Sequence, residues 1–355
     1  MQAAEFHSLV VAHIVRLTDD AVAVTFAVPP QLADTFRYLP GQHVTLRATI
    51  DGEDVRRSYS ICANANRGML RVGIKQLAGG KFSTWANQRL AVGDTLGVMP
   101  PVGEFTVVPD PSRSRHLGAI ATGSGITPVL SLVWTVLETE AESRFTLVLG
   151  NRESRSVMFL EEIAGLKDRY TARFHLIHVL SREEAAVPLF SGRLDAAKLE
   201  RLLDTVVDAG SVEDWFLCGP YGLVVAARET LAGRGVVSER IHDELFFSGP
   251  PPPAPPRPDA ASGLAQVRFT LEGRASQVMV DPDGAPILDY ALTVRRELPF
   301  SCRGGMCTSC RARLIAGKVR LDKNWSLTES ELAAGQVLTC QAHPTTEAVD
   351  LTYDL

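Results

Sequence analysis

Pro299-Phe300-Ser301-Cys302-Arg303-Gly304-Gly305-Met306-Cys307-Thr308-Ser309-Cys310 decides the fold of the C-terminal third, and Cys340 completes its pattern. The spacing is Cys-x4-Cys-x2-Cys, then twenty-nine residues, then Cys. Four thiolates at that spacing match the ligand set of a plant-type 2Fe–2S cluster, Cys302, Cys307, Cys310 and Cys340. Gly304 and Gly305 are expected to let backbone N–H groups approach the sulfides, since neither carries a Cβ. Two other readings use the same thiols. Disulfides need an oxidising compartment, but the chain begins Met1-Gln2-Ala3-Ala4-Glu5, without a basic segment followed by an apolar core. Structural zinc usually takes two separate Cys-x2-Cys knuckles, and only one such pair fits here. The cluster is the favoured reading. It moves one electron at a time, so the upstream sequence should explain where that electron comes from.

At 355 residues the chain suggests two to three domains. A hydrophobic content of 45% is ordinary for a globular protein, and no apolar run is long enough to span a bilayer. A net charge of −5 gives no reason to expect nucleic acid as a partner. Six cysteines without a signal sequence point to the reducing cytoplasm. The one low-complexity segment, 249–263, holds seven prolines in fifteen residues. It reads as a semi-rigid polyproline II linker whose Pro core spans on the order of 30 Å.

From Ser8 to Pro100 short alternating runs lie between turn signals: Leu9 to Leu17, Ala21 to Val28, Val44 to Ile50 and Met69 to Lys75. Many short strands at this spacing predict a small antiparallel barrel. Arg57-Ser58-Tyr59-Ser60-Ile61 lies on one strand, with Arg57 and Tyr59 on one face and Ser58 and Ser60 on the other. A guanidinium fork beside a flat ring suits a ligand with an aromatic head and a phosphate tail, although, taken alone, the pattern is better read as a barrel strand with an edge arginine. Gly79-Gly80-Lys81-Phe82-Ser83 reads as a glycine turn entering a helix whose N-terminus could hold a pyrophosphate.

From His116 the pattern changes to alternating strand and helix. His116 to Ala121, Phe145 to Leu149, Arg173 to Leu180 and Trp215 to Cys218 read as buried strands. Helices are expected over Thr127 to Glu140, Val157 to Lys167, Asp195 to Leu203 and Tyr221 to Ala232. That order implies a parallel sheet covered on both faces. Its first strand runs into Thr122-Gly123-Ser124-Gly125-Ile126-Thr127-Pro128, a glycine-rich turn at a helix N-terminus that lacks the third glycine of a full dinucleotide fingerprint. A later strand ends in Cys218-Gly219-Pro220, at the carboxyl edge where ligands bind such sheets.

The Arg-x-Tyr-Ser strand, the Gly-Ser-Gly-Ile-Thr-Pro turn and the Cys-Gly-Pro strand end occur in one order, and together they resemble the ferredoxin–NADP reductase superfamily with a ferredoxin domain fused at the C-terminus. More narrowly, Pro40-Gly41-Gln42-His43, Ile241-His242-Asp243-Glu244 and Glu331-Leu332-Ala333-Ala334-Gly335 are similar to stretches of the reductase subunits of bacterial phenylacetyl-CoA epoxidases. The resemblance implies a multidomain protein: an FAD-binding antiparallel β-barrel over 1–110, an α/β parallel-sheet NADP-binding domain over 111–248, the linker over 249–263, and a β-grasp 2Fe–2S ferredoxin domain over 264–355. It implies that Arg57 holds the FAD pyrophosphate, that Tyr59 stacks on the isoalloxazine and that Ser60 bonds its hydride-accepting nitrogen. Gly80, Lys81, Phe82 and Ser83 would line the remaining flavin phosphate. Thr122, Gly123, Gly125, Ile126 and Thr127 would hold the nicotinamide nucleotide, with Cys218, Gly219 and Pro220 beside the nicotinamide. Glu244 and Phe246 match a Glu-x-Phe near the flavin, the ring shielding it. Tyr59, Ser60, Cys218 and Glu244 are thus the candidate catalytic residues. Ser181-Arg182 follows a strand end where related enzymes bind a 2′-phosphate, which favours NADPH over NADH; Arg152 is a second candidate. Cys62 reads as a core thiol.

Beyond the linker, Ala265 to Leu271 and Ser276 to Val280 read as a hairpin, Pro286 to Glu297 as a helix, and Thr328-x-x-Glu331 as a capping box. Between Arg295 and Arg320 seven basic residues stand against Glu297 alone, which suggests a positive rim steering an acidic partner. The implied activity passes single electrons from NADPH through FAD and the cluster to the oxygenase subunits of a multicomponent complex, a di-iron phenylacetyl-CoA epoxidase first of all. A Rieske or other oxygenase is the alternative. A redox sensor or binding module without turnover is the reading from another class.

Overall fold

The computed structural model describes residues 6–246 and 263–355, which divide into two compact units. The expected Pro-rich linker lies outside the described residues, apart from Gly263. The first unit holds the barrel and the parallel sheet. Barrel strands are β1 (His7–Thr18), β2 (Ala21–Ala27), β3 (His43–Ile50), β4 (Glu53–Ser60) and β5 (Leu70–Lys75), followed by helix α1 (Lys81–Gln88) and β6 (Thr95–Val98). They lie in the order β4-β3-β6-β1-β2-β5. An antiparallel bridge from Ile61, just past β4, to Val72 of β5 brings the two ends of the sheet together. Inward residues such as Leu9, Val24, Leu46, Ile61 and Ile74 are 0% exposed and fill the interior.

The α/β part runs β7 (His116–Thr122), α2 (Ile126–Thr139), β8 (Arg144–Asn151), α3 (Leu160–Arg169), β9 (Phe174–Leu180), α4 (Ala196–Thr205), β10 (Asp214–Gly219), α5 (Tyr221–Ala232) and β11 (Ile241–Leu245). All five strands are parallel, in the order β11-β10-β7-β8-β9. Alternation along each strand serves two cores at once. Ala119, Leu147 and Phe216 pack with α2 and α3, while Ile120, Val148 and Leu217 pack with α4 and α5.

Two boundaries differ from the sequence reading. The helix expected from Val157 begins at Leu160, because Phe159 takes a left-handed φ of 60° and turns Val157, Met158 and its own ring into the core. Sequence reading assigned no element to 241–245, yet these residues form β11; their polar side chains break the alternation that marks a buried strand.

The C-terminal unit contains β12 (Ala265–Leu271), β13 (Arg274–Val280), α6 (Ile287–Val294), β14 (Arg311–Ala316), β15 (Val319–Leu321), α7 (Glu329–Ala333), β16 (Gln336–Leu338), β17 (Ala342–Pro344) and β18 (Ala348–Thr352). A mixed sheet ordered β13-β12-β18-β14-β16 buries Ile287, Leu288 and Ala291 of α6, a β-grasp. Helix α6 stops at Val294 rather than Glu297, since Arg295 leaves the helix and Leu298, before Pro299, inserts into the core at 0% exposure. The capping box at Thr328 and Glu331 forms as expected.

Where the barrel chain enters the parallel sheet, a buried ion pair ties the two together. Arg115 Nη2 lies 2.5 Å from Glu140 Oε1, with the two side chains 4% and 0% exposed. Ser143 Oγ and the Asp110 N–H also donate to Glu140, and Arg115 reaches the Val108 carbonyl. Burial raises the Glu140 pKa, but the Arg115, Ser143 and Asp110 hydrogen bonds outweigh it and leave it below the ordinary value. A lowered folded pKa makes this contribution complete above the ordinary glutamate range and loses it as pH falls through the lowered value. Replacing Arg115 by Ala leaves a buried, uncompensated carboxylate. The expected loss is about 3–5 kcal/mol, read from urea unfolding at neutral pH and shrinking in acid.

Candidate functional site

Three strand ends and one turn assemble the centre of the site. Cys218 on β10 pairs in register with Glu244 on β11, so one residue's choice of strand places the other. Ser60, at the end of β4 and 3% exposed, donates to Glu244 Oε2 at 2.8 Å. Gly125 closes the glycine turn onto β10, and a Cβ there would stand 2.3 Å from the Cys218 carbonyl oxygen and 3.2 Å from its sulfur. Residues from the barrel, the turn and two strands therefore meet at one place. Burial and then the Glu244 charge push the Cys218 thiol well above its usual range, so it stays protonated and is no nucleophile. Cys62 is likewise a buried thiol, pushed up to about 12 by burial.

Tyr59 is half-buried against the barrel core, its ring 5.6 Å from that of Phe82. Arg57 is exposed, bonded to the Arg56 carbonyl. Gly80 is the N-cap of α1, with Gly79 before it at φ 72°. The hydroxyl of Ser83 accepts from the Leu77 N–H and donates to the Gly80 carbonyl, which closes this turn. Phe82 is 1% exposed and Lys81 pairs with Glu53 at 2.9 Å, so the turn can offer a ligand backbone more readily than side chains.

The second turn shows the same division of labour. Ile126 and Thr127 are each 1% exposed, and the Thr127 hydroxyl caps the Ser124 carbonyl at 2.9 Å. Their side chains serve the core; what faces outward is main chain. Thr122 is different: its buried hydroxyl has no hydrogen-bond partner among the described residues. A polar atom left in that state beside a glycine turn fits a site that a polar ligand completes. Gly219 lies so close that a Cβ would come within 2.7 Å of that hydroxyl. Pro220 is the N-cap of α5, and the Phe246 N–H donates to the Gly219 carbonyl at 3.0 Å. At the far edge the Ser181 and Arg182 N–H groups donate to the Asn151 and Arg152 carbonyls, bringing two exposed arginines to adjoining strand ends.

His43 was missed. Its Nδ1 stands 3.6 Å from Glu244 Oε1, on the side of the carboxylate away from Ser60. Gly103 at φ 123° packs against it; a Cβ there would lie 3.0 Å from the imidazole. No signal in the neighbouring sequence marks the pairing, because its partner lies far away in the chain.

In the C-terminal unit the four thiols come as two pairs. Cys302 lies beside Cys307, and Cys310 beside Cys340. Backbone N–H groups turn toward the sulfurs: Gly304 and Cys307 onto Cys302 at 3.3 and 3.4 Å, Cys302 onto Cys307 at 3.4 Å, and Gly305 onto Cys340. Four thiols with backbone N–H groups turned onto their sulfurs are the donor set that a two-iron cluster would take. The residues present fit a two-iron cluster. Gly304 and Gly305 both turn their N–H groups onto sulfur as expected, with Gly305 left-handed at φ 76°, while Arg303 and Thr308 adopt φ 52° and 53° despite their Cβ atoms. The positive rim is also smaller than its sequence suggests. Arg295, Arg303, Arg311 and Arg320 pair with Glu297, Asp289, Glu331 and Asp322, leaving Arg296, Arg313 and Lys318 standing exposed.

Residues 8–107 match the oxidoreductase FAD-binding domain family, 119–229 the oxidoreductase NAD-binding domain family, and 269–345 the 2Fe-2S iron-sulfur cluster binding domain family. The chain is 41% identical to a subunit of the 1,2-phenylacetyl-CoA epoxidase of Escherichia coli, over 98% of each chain. The chain belongs to the ferredoxin reductase superfamily. This reductase is also 31% identical to the ferredoxin reductase component of 3-ketosteroid-9-alpha-monooxygenase from Rhodococcus rhodochrous, over 97% of this chain and 96% of that one. The solved structure of phthalate dioxygenase reductase shares its fold, with a TM-score of 0.62 at 21% identity over 98% of both chains. The reductase is an oxidoreductase with FAD-binding, NAD-binding and 2Fe–2S domains.

A Gly125→Ala change tests the central closeness. Because the obstructing atom is a backbone carbonyl, the turn must move, and the expected result is at least about tenfold slower flavin bleaching by nicotinamide nucleotide. Stopped-flow absorbance measures it, with flavin content as the control.

Proposed function

We propose that the reductase draws electrons from NADPH and delivers them singly to the oxygenase subunits of a phenylacetyl-CoA epoxidase. The observation that carries the electron path is the meeting of Ser60, Cys218, Glu244 and the Gly125 turn beside Tyr59, in a chain that also holds two facing thiol pairs. FAD, when bound, accepts a hydride and releases its electrons one at a time, and the cluster passes them on. The chain's own work is placement. Arg57 and the Gly80–Ser83 turn bind the flavin phosphates, and Tyr59 and Phe246 cover its ring. Ser60 and Glu244 hold a proton position beside the hydride-accepting nitrogen. The Gly123–Gly125 turn and the Thr122 hydroxyl hold the nucleotide, with the neutral Cys218 thiol keeping charge and water away. Cys302, Cys307, Cys310 and Cys340 ligate the irons.

Arg182, with Ser181 and Arg152 beside it, supports NADPH over NADH, because a guanidinium there can bond a 2′-phosphate that NADH lacks. Arg182→Ala should raise the KM for NADPH roughly tenfold while leaving that for NADH near the parent value. Among the described residues no helix is long and apolar enough to cross a membrane, and the reading places the protein in the cytoplasm with its oxygenase. Identity over nearly the full length to an epoxidase subunit favours that partner, while the likeness to the 3-ketosteroid monooxygenase component supports service to another oxygenase as the second reading.

Coupled turnover decides between them. With purified phenylacetyl-CoA epoxidase oxygenase subunits, NADPH and oxygen consumption should depend on phenylacetyl-CoA and yield epoxide. Consumption that ignores the thioester, with dye reduction intact, would move the protein to another oxygenase. Cys307→Ser should abolish the visible and EPR signature of the cluster yet leave NADPH-dependent reduction of an artificial dye. Loss of both would mean that the two redox sites are not separable.

A further inference from the structure

A side chain outside the cysteine motif anchors the cluster loop from behind. Gln341 follows Cys340 and is 7% exposed. Its Nε2 donates to the Arg303 carbonyl at 2.9 Å and to the Cys340 carbonyl at 2.7 Å, and lies 3.8 Å from Cys340 Sγ. All three neighbours are acceptors, so only the NH2 end of the amide can face them. The Gln341 main chain is held on both sides, its N–H by the Leu338 carbonyl and its carbonyl by the Asp322 N–H, each at 2.9 Å. The amide therefore reaches out from a fixed point. A Cβ on Gly305 would stand 3.1 Å from Gln341 Cγ, so the side chain fills the space directly under that glycine.

What it grips matters more than where it sits. Arg303 is left-handed at φ 52°, a conformation that a residue with a Cβ adopts only when its surroundings hold it there. In the trans peptide joining Arg303 to Gly304 the C=O and N–H point in opposite directions. Gln341 holds the carbonyl, and the Gly304 N–H accordingly points at Cys302 Sγ, 3.3 Å away. One hydrogen bond behind the loop sets the direction of another in front of it. The same bond joins the segment of the distant fourth cysteine to the loop of the first.

We propose that Gln341 is a positioning residue for the cluster: by clamping the Arg303–Gly304 peptide plane it holds the Gly304 N–H on the Cys302 sulfur, and so raises the reduction potential and retains the irons. An N–H aimed at a ligand sulfur favours the state with more negative charge, which is the reduced one. The inference rests on the reading that the four cysteines hold a 2Fe–2S cluster.

The test uses the full chain with Gln341→Met, which keeps length and burial but removes the donor, and an EPR-monitored redox titration. At a fixed applied potential near the midpoint, the ratio of reduced to oxidised cluster should fall about tenfold, equal to about 59 mV for a one-electron couple. Iron loss to a chelator should be faster. If Gln341→Met retains no cluster, Gln341→Asn, whose amide is one methylene too short to reach Arg303, is titrated instead and should shift in the same direction. An unmoved midpoint in the variant that holds its cluster overturns the proposal, and faster iron loss without a shift does so too, since that is merely structural support. A parent protein with no 2Fe–2S signal would overturn the reading of the four cysteines itself, an outcome separable from unmoved variants of a parent that shows the signal.

Discussion

No β-carbon fits on Gly125, because the Cys218 carbonyl oxygen would stand 2.3 Å from it. That closeness sets the turn at the start of α2 directly on β10. Register then does the rest: Cys218 lies opposite Glu244, and Glu244 accepts from Ser60 of the barrel. A contact of backbone on backbone is stiff in a way that side-chain contacts are not, since neither partner has a rotamer to yield. The proposed nicotinamide and flavin positions are thus referred to one another through main chain, with side chains added last.

The C-terminal unit solves a comparable problem by different means. Its loop gathers three cysteines within nine residues and must turn several N–H groups inward. It does so with left-handed backbone at Arg303, Gly305 and Thr308, two of which carry side chains. Such strain persists only where neighbours over-determine it. Gln341 supplies one such restraint on the Arg303 carbonyl, and the Trp325 N–H, which donates to the Gly305 carbonyl at 3.0 Å, supplies another.

Much of this was legible in the residues. The alternation of β-branched runs and the order of strand and helix between 116 and 232 pointed to the barrel and the parallel sheet, because each is a local periodicity, while the β-grasp came with the family resemblance that the cysteine spacing carries. What stayed hidden depended on partners distant in sequence. His43 approaches Glu244 across two hundred residues, and nothing near it advertises the pairing. The left-handed turn at Arg303 was hidden for the same reason, since the Gln341 amide that bonds its carbonyl lies thirty-eight residues away. Charge counting around the cluster could not reveal the pairings for the same reason: Asp289, Asp322 and Glu331 lie outside the basic window but fold back onto it. Ile126, Thr127 and Ser83 sit where the motifs placed them, yet spend their side chains on core and turn.

Strand β11 was overlooked because His242, Asp243 and Glu244 interrupt any hydrophobic rhythm. It is also an outermost strand of the parallel sheet, with one row of backbone donors and acceptors unmatched by a neighbouring strand among the described residues. An apolar strand in that place would invite a second molecule to add itself to the sheet. The polarity that brings Glu244 to Ser60 thus also discourages self-assembly, so a search for more stable variants that enriches this strand in valine or isoleucine would trade solubility for propensity.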